Sequence, residues 1–243
     1  MKKAAIIIAV VLVGVAAICA VLILRAWPGV LIGSGNLETE DYAFAGFTGI
    51  EISSAFQFEI KQSSSYSINV TADDNVIDYV QVSQEGQTLK IRLGGLPTLR
   101  SVTLRASVTL PKLRGLTVSG ASRGTVSDFN STEGLNVTVS GASRLTGDVT
   151  AGDVEFDVSG ASTIQLRGSA DDMIAGVSGA SRFSLDDFTV SDANINISGA
   201  STGTINLSGR LDANVSGAST LLYIGEPTMG TINVSGASTL KEK

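Results

Sequence analysis

Seven copies of Ser-Gly-Ala-Ser, starting at Ser119, Ser140, Ser159, Ser178, Ser198, Ser216 and Ser235, recur at intervals of 18 to 21 residues. A unit of about twenty residues cannot bury a core alone, so such units must stack, each adding one layer to a continuous solenoid. The residue before each motif is Val118, Val139, Val158, Val177, Ile197, Val215 or Val234, and two positions earlier stand Leu116, Val137, Phe156, Ala175, Ile195, Ala213 and Ile232. Polar or small residues lie between them, which is the period-two pattern of a half-buried strand. Apolar positions return after the motif at Leu145, Ile164, Phe183, Leu221 and Leu240. Each repeat therefore reads as strand, corner, strand and a variable return loop. Motifs at near-constant spacing place like residues above one another, about 4.8 Å apart, when successive turns pair as parallel strands. The expected fold is all-β, a right-handed parallel β-helix.

Within the corner, Gly supplies a conformation that a Cβ resists, and Ala is expected to point inward at the sharp bend. The Ser columns are expected to hydrogen-bond along the stack or to corner backbone, with a flat Ser/Thr array that binds a ligand or ice as the alternative. Helical repeats are disfavoured because Gly, Ser, Asn and β-branched residues dominate.

The N-terminus is a separate object. Ala4 to Leu24 is an unbroken apolar run of 21 residues, long enough as a helix to span roughly 30 Å of hydrocarbon. Lys2 and Lys3 flank one side and Arg25 stands alone on the other, so the positive-inside bias places the N-terminus in the cytoplasm and the rest outside. A cleaved signal peptide is the competing reading, but the run is long and no small-x-small site follows it. Cys19, the only cysteine, reads as an apolar residue of this run rather than a lipid acceptor, and the exported part has no disulfide. The expected organisation is residues 1–27 as cytoplasmic N-terminus and single-pass transmembrane signal-anchor helix contacting the membrane through residues 4–24, 28–40 as flexible tether, 41–115 as N-terminal cap and opening rungs, and 116–243 as the repeats. Alternating runs between turns such as Ala72-Asp73-Asp74-Asn75 mark strands in the cap, and Phe44, Phe47, Phe56 and Phe58 supply bulk to close the core.

Gly46-Phe47-Thr48-Gly49-Ile50, the Thr88-Leu89-Lys90-Ile91 strand, the step Val108-Thr109-Leu110-Pro111-Lys112-Leu113 and the tandem Val-Ser-Gly-Ala-Ser units together resemble the auto-transporter adhesin, head GIN domain family, over nearly all of residues 41–243. The resemblance implies an adhesin-like protein of the bacterial cell surface with a β-helical fold and no assigned catalytic residues. The tripeptide Gly-Ile-Asn does not occur, Gly203-Thr204-Ile205-Asn206 and Gly230-Thr231-Ile232-Asn233 being the nearest sequences.

Chemistry is sparse. The chain has no His, which removes the usual base of Ser and Cys nucleophiles and the commonest transition-metal ligand. No phosphate-cradling Gly loop is present. The pairs Asp73-Asp74, Asp171-Asp172 and Asp186-Asp187 fall in expected turns, where Asp is favoured for local hydrogen bonding over calcium or acid–base roles. No cofactor or metal is expected.

Charge is uneven along a chain of net charge −6: from Gly86 to Ser127 there are seven Lys or Arg and no acid, whereas Asp128 to Leu240 has four Arg against thirteen acids. The candidate ligand-binding residues are Arg105, Arg114, Arg123, Arg144 and Arg182, with an anionic envelope polysaccharide or a surface protein as partner and no nucleic acid. Arg123, Arg144 and Arg182 share a repeat position with Thr163, Thr202, Thr220 and Thr239. The expected function is a membrane-anchored, extracytoplasmic, non-catalytic adhesin-like binding module. A self-associating envelope scaffold that forms homo-oligomers is the alternative, and a polysaccharide-acting β-helix enzyme is third.

Overall fold

The computed structural model describes residues 30–95 and 98–243; the apolar N-terminal run and its expected membrane span lie outside them. Among the described residues no helix is long and apolar enough to cross a membrane, and the only helical element is the 3-10 turn Ile77–Tyr79. The rest is a β-solenoid of right-handed type built on two long sheets of ten and eleven strands.

Each repeat contributes one strand to each sheet because the corner redirects the chain between them. The leading sheet receives the strand before the motif (Gly115–Val118, Leu135–Val139, Val154–Val158, Asp172–Val177, Asp192–Ile197, Arg210–Val215, Thr228–Val234). The trailing sheet receives the strand after it (Arg123–Asn130, Arg144–Thr150, Thr163–Ser169, Arg182–Val190, Thr202–Leu207, Thr220–Ile224, Thr239–Glu242). Successive turns pair in parallel with the motif in register, as in Val118 opposite Val139 and Val139 opposite Val158.

The inward residues form stacked columns that compensate for one another in volume. Phe156 sits over Ala175 in one sheet, and Phe58 lies beside Gly124 in the other, where a Cβ on Gly124 would run into the Phe58 ring. Phe156 and Phe183 meet edge to face across the core at 5.2 Å. Alternating large and small side chains hold interior packing density without strain.

The corner departs from expectation. The motif Gly adopts a positive φ, between +72° and +80° in all seven copies, and its carbonyl accepts the Ala N–H of the next turn, as in Ala161 to Gly141 at 2.8 Å. The Ala side chains do not point inward: Ala142, Ala161 and Ala180 are exposed. The buried corner residue is the second Ser, with Ser122, Ser143, Ser162, Ser181, Ser201 and Ser219 all at most 2 % exposed. Left-handed Gly turns the next side chain out and the following one in, so a hydroxyl enters the core. There it answers a local need. Ser181 Oγ donates to the Gly160 carbonyl at 3.3 Å and accepts the Ser162 N–H at 3.4 Å, satisfying a backbone donor that the bend would otherwise bury alone.

The opening segment is not threaded in chain order. Ile52 pairs with Val118 and Gln57 with Arg123, so Ser53-Ser54-Ala55-Phe56 occupies the corner and is a degenerate eighth copy. Ser54, at φ +69°, takes the Gly position, and Phe56, wholly buried, takes the inward Ser position. The chain then leaves to build the cap and returns with Thr88–Leu93 and Leu104–Leu110 on the far side of this turn. It next passes to Gly115–Val118 on the near side. The turn at 49–62 is thus sandwiched between two turns that follow it in sequence. Antiparallel strands Ser67–Asp73 and Leu37–Asp41 extend the trailing sheet, and Val80–Glu85 extends the leading one. Acidic Glu38, Glu40 and Asp41 lie on the outermost strand, where charge discourages edge pairing.

Part of the stretch expected as a free tether is instead laid down as strand. Leu31–Ile32 pairs with Leu99–Arg100. Asp73, 1 % exposed, accepts the N–H groups of Gly35 at 2.7 Å and Thr103 at 2.6 Å; these two bonds hold its carboxyl below its ordinary pKa. Asn75 Nδ2 donates to the Ile32 carbonyl at 2.9 Å. The Asp73-Asp74-Asn75 turn is therefore a clamp on the incoming chain.

Candidate functional site

The two sheets differ in one outward column each. On the trailing sheet the first outward residue after each corner forms one continuous column: Arg105, Gln57, Arg123, Arg144, Thr163, Arg182, Thr202, Thr220 and Thr239. The register joins Arg105 to Arg123, Arg144 and Arg182 although it comes from the far side of the cap excursion. All four Arg are exposed, and among the described residues none is in an ion pair. Five rung steps separate Arg105 from Arg182, a span of about 24 Å at the strand spacing.

The column is flanked by small corner residues on one side and by mostly uncharged polar residues on the other. On one side runs the ridge of exposed corner Ala; on the other runs a second outward column of Ser107, Glu59, Thr125, Thr146, Gln165, Ser184 and Thr204, whose one acid, Glu59, lies 4.0 Å from Lys61. Two shallow depressions lie along the column, one of about 300 Å³ beside Arg105 and one of about 370 Å³ between Arg123, Arg144 and Thr163. Phe58 borders the first from beneath but is buried, so neither presents an exposed aromatic ring, and the carboxylate-bearing Glu59 also borders the first.

Arg114, the fifth candidate, is not part of this face. It precedes the leading strand Gly115–Val118, and its Nε donates to Glu133 at 2.8 Å, with Lys112 on the other carboxylate oxygen at 2.8 Å. Those two cations pull the Glu133 carboxyl down to about 2. Lys90 is likewise held by Glu85 at 2.7 Å and Glu51 at 3.7 Å. Three of the seven cations that look unopposed along the sequence are therefore matched by acids from other segments.

The leading sheet presents a cluster of acids. A groove of about 440 Å³ is bordered by Asp153, Glu155, Asp172, Asp192 and Asp212, with exposed Ile174 among them. Several of these carboxylates serve the backbone: Asp153 accepts the Asp172 N–H and Asp172 the Asp192 N–H, each at 3.3 Å. Arg210 forks onto Asp212 at 2.7 and 2.9 Å, which lowers the Asp212 pKa. Among the described residues no group of three or more acids, Cys or His could hold a metal ion.

The acidic pairs weighed for catalysis are occupied structurally. Asp73 is the clamp, Asp187 lies 3.4 Å from Arg167, and Asp186 is paired with Lys243. The Ser/Thr-array reading fails for the second motif Ser, whose hydroxyls face the core. Gln57 and the degenerate corner at 53–56 were not legible as parts of the repeat; their only sequence signal is Ser-Ala at the right distance after Ile52.

Comparison with known proteins agrees with this architecture. The family model described as "Putative auto-transporter adhesin, head GIN domain" matches residues 46–227. A crystal structure of a "putative adhesin" from Bacteroides fragilis superposes with a TM-score of 0.83 at 20 % identity, covering 88 % of this chain and 100 % of that one. A "putative adhesin" and a "putative lipid binding protein", both from Parabacteroides distasonis, give TM-scores of 0.69 and 0.64, each at 18 % identity with coverage of 88 % and 100 %. These likenesses establish a shared fold. No curated protein matches in sequence.

Proposed function

The chain belongs to the auto-transporter adhesin, head GIN domain family, and from that premise we propose that it is a non-catalytic, adhesin-like binding module displayed at the bacterial cell surface. Residues 1–27 anchor it as a single-pass helix with the N-terminus in the cytoplasm, and the solenoid stands outside the membrane. The observation that carries the binding role is the exposed column of unpaired Arg on the trailing sheet. Four like charges outside any ion pair among the described residues, on a surface whose other cations are mostly matched, lower nothing in the folding energy, because exposed ion pairs and isolated surface charges contribute little to stability. Such a column attracts an anionic partner instead.

Two measurements test this reading. Protease added to intact cells, or to spheroplasts where an outer membrane is present, should digest the solenoid and spare the N-terminus; protection of the solenoid after verified spheroplasting refutes the topology. The full chain in non-ionic detergent should bind isolated envelope fragments, and Arg123→Glu with Arg144→Glu should weaken that binding in a salt-sensitive way. Binding that is unchanged refutes the role of this face.

Self-association is a second reading, favoured by one observation. Thr228–Val234 and Thr239–Glu242 each pair on one side only among the described residues, and Met229 and Val234 are 44 % and 46 % exposed there. Sedimentation that changes with protein concentration supports it, and a single species at all concentrations removes it.

A further inference from the structure

We infer that the Arg column takes a linear anionic polysaccharide lying parallel to the solenoid axis, with successive acid groups on Arg105, Arg123, Arg144 and Arg182. The inference rests on the binding role proposed above for this face and adds the class and orientation of its ligand. Three features point the same way. First, the cations are collinear and lie on multiples of one rung: two steps from Arg105 to Arg123, one to Arg144 and two to Arg182. A compact anion meets at most two of them, whereas an extended chain of repeating charge meets all four over about 24 Å.

Second, the flanks select a polyhydroxylated backbone. The Ala ridge is low enough for a polymer to lie against the sheet, and the hydroxyls and amide of Thr125, Thr146, Gln165, Ser184 and Thr204 form a parallel row that offers donors and acceptors to sugar hydroxyls. Third, the two depressions follow one another along the column, each holding at least one of the four Arg, with Glu59 as the one acid bordering the first and lying 4.0 Å from Lys61. With no exposed ring to stack on, each sugar contributes little, and affinity accumulates through repetition.

The test is length dependence. The full chain in non-ionic detergent is titrated with oligogalacturonates from dimer to octamer, and with inorganic polyphosphate of matched length, which carries charge but no hydroxyl. Affinity should rise at least about tenfold from dimer to hexamer and then level off once the ligand spans Arg105 to Arg182. Polyphosphate should bind more weakly than the matched sugar.

Arg105→Gln and Arg182→Gln, at the ends of the column, should each reduce hexamer affinity about threefold while leaving dimer binding nearly unchanged. Arg114→Gln should change neither. Affinity independent of length, equal effects of the end variants on dimer and hexamer, or polyphosphate binding as tightly as the sugar overturns the inference. If envelope fragments still bind through Arg123 and Arg144 in those cases, the broader binding role stands. If neither oligomers nor envelope fragments bind, both fall.

Discussion

The buried Ser column allows a sharp comparison, because Ser181 and Ser143 share residue type, motif position and burial, each being 2 % exposed, yet differ in hydrogen bonding. Ser181 Oγ bridges two backbone groups, the Gly160 carbonyl and the Ser162 N–H. Ser143 Oγ has no partner. Removing the Ser181 hydroxyl loses a bond worth about 1 kcal/mol and leaves the Ser162 N–H buried without an acceptor, a further cost of about 1–3 kcal/mol. The bonds are long, at 3.3–3.4 Å, so the expected loss for Ser181→Ala is about 2 kcal/mol, at the lower end of that range.

Ser143→Ala removes a hydroxyl already desolvated without compensation, so it should be neutral or stabilise by up to about 1 kcal/mol. Both variants are measured by urea unfolding followed by far-UV circular dichroism. Native-state amide exchange at Ser162 then isolates the local effect, because a solenoid can open one turn at a time. Exchange at Ser162 should accelerate in Ser181→Ala only. Equal destabilisation by the two substitutions, or unchanged Ser162 exchange, refutes the assignment of the hydroxyl as a backbone bridge.

Other outcomes follow from the same geometry. Gly160→Ala should cost about 2–5 kcal/mol in unfolding free energy, since a Cβ there both meets the Gly141 carbonyl oxygen and sits at φ +77°; a loss below that of an ordinary surface substitution would contradict the corner. Ala161→Leu, on the exposed ridge, should stay within about 0.5 kcal/mol of the parent in the same assay; destabilisation typical of an overpacked core would return Ala161 to the interior. Because the Asp73 pKa is lowered by its two backbone donors, its stabilisation is complete above the ordinary carboxylate pKa of about 3.9 and fades as pH falls through the lower native value. The stability gap between the parent and Asp73→Asn should therefore be largest near neutrality and shrink in acid; a gap independent of pH down to strongly acidic conditions would show that the carboxylate does not serve as the clamp.

Local pattern was enough to establish the all-β class, the parallel stack, the inward columns around Val118 to Val215 and the shared column of Arg123, Arg144 and Arg182. Each follows from a two-residue alternation repeated at near-constant spacing, and that is short-range information carried by the chain itself. Three matters depended on tertiary contacts. The inward residue of the corner is Ser rather than Ala because direction there is decided by the left-handed Gly and by the stacking of one Gly carbonyl on the next turn's N–H, not by side-chain size. The turn at 49–62 lies between two later turns because strand register, set by long-range pairing, overrides chain order. Membership of the binding face changed for the same reason: Arg105 entered the column through its pairing with Gln57, while Arg114 was withdrawn by Glu133, two residues whose proximity no local pattern encodes.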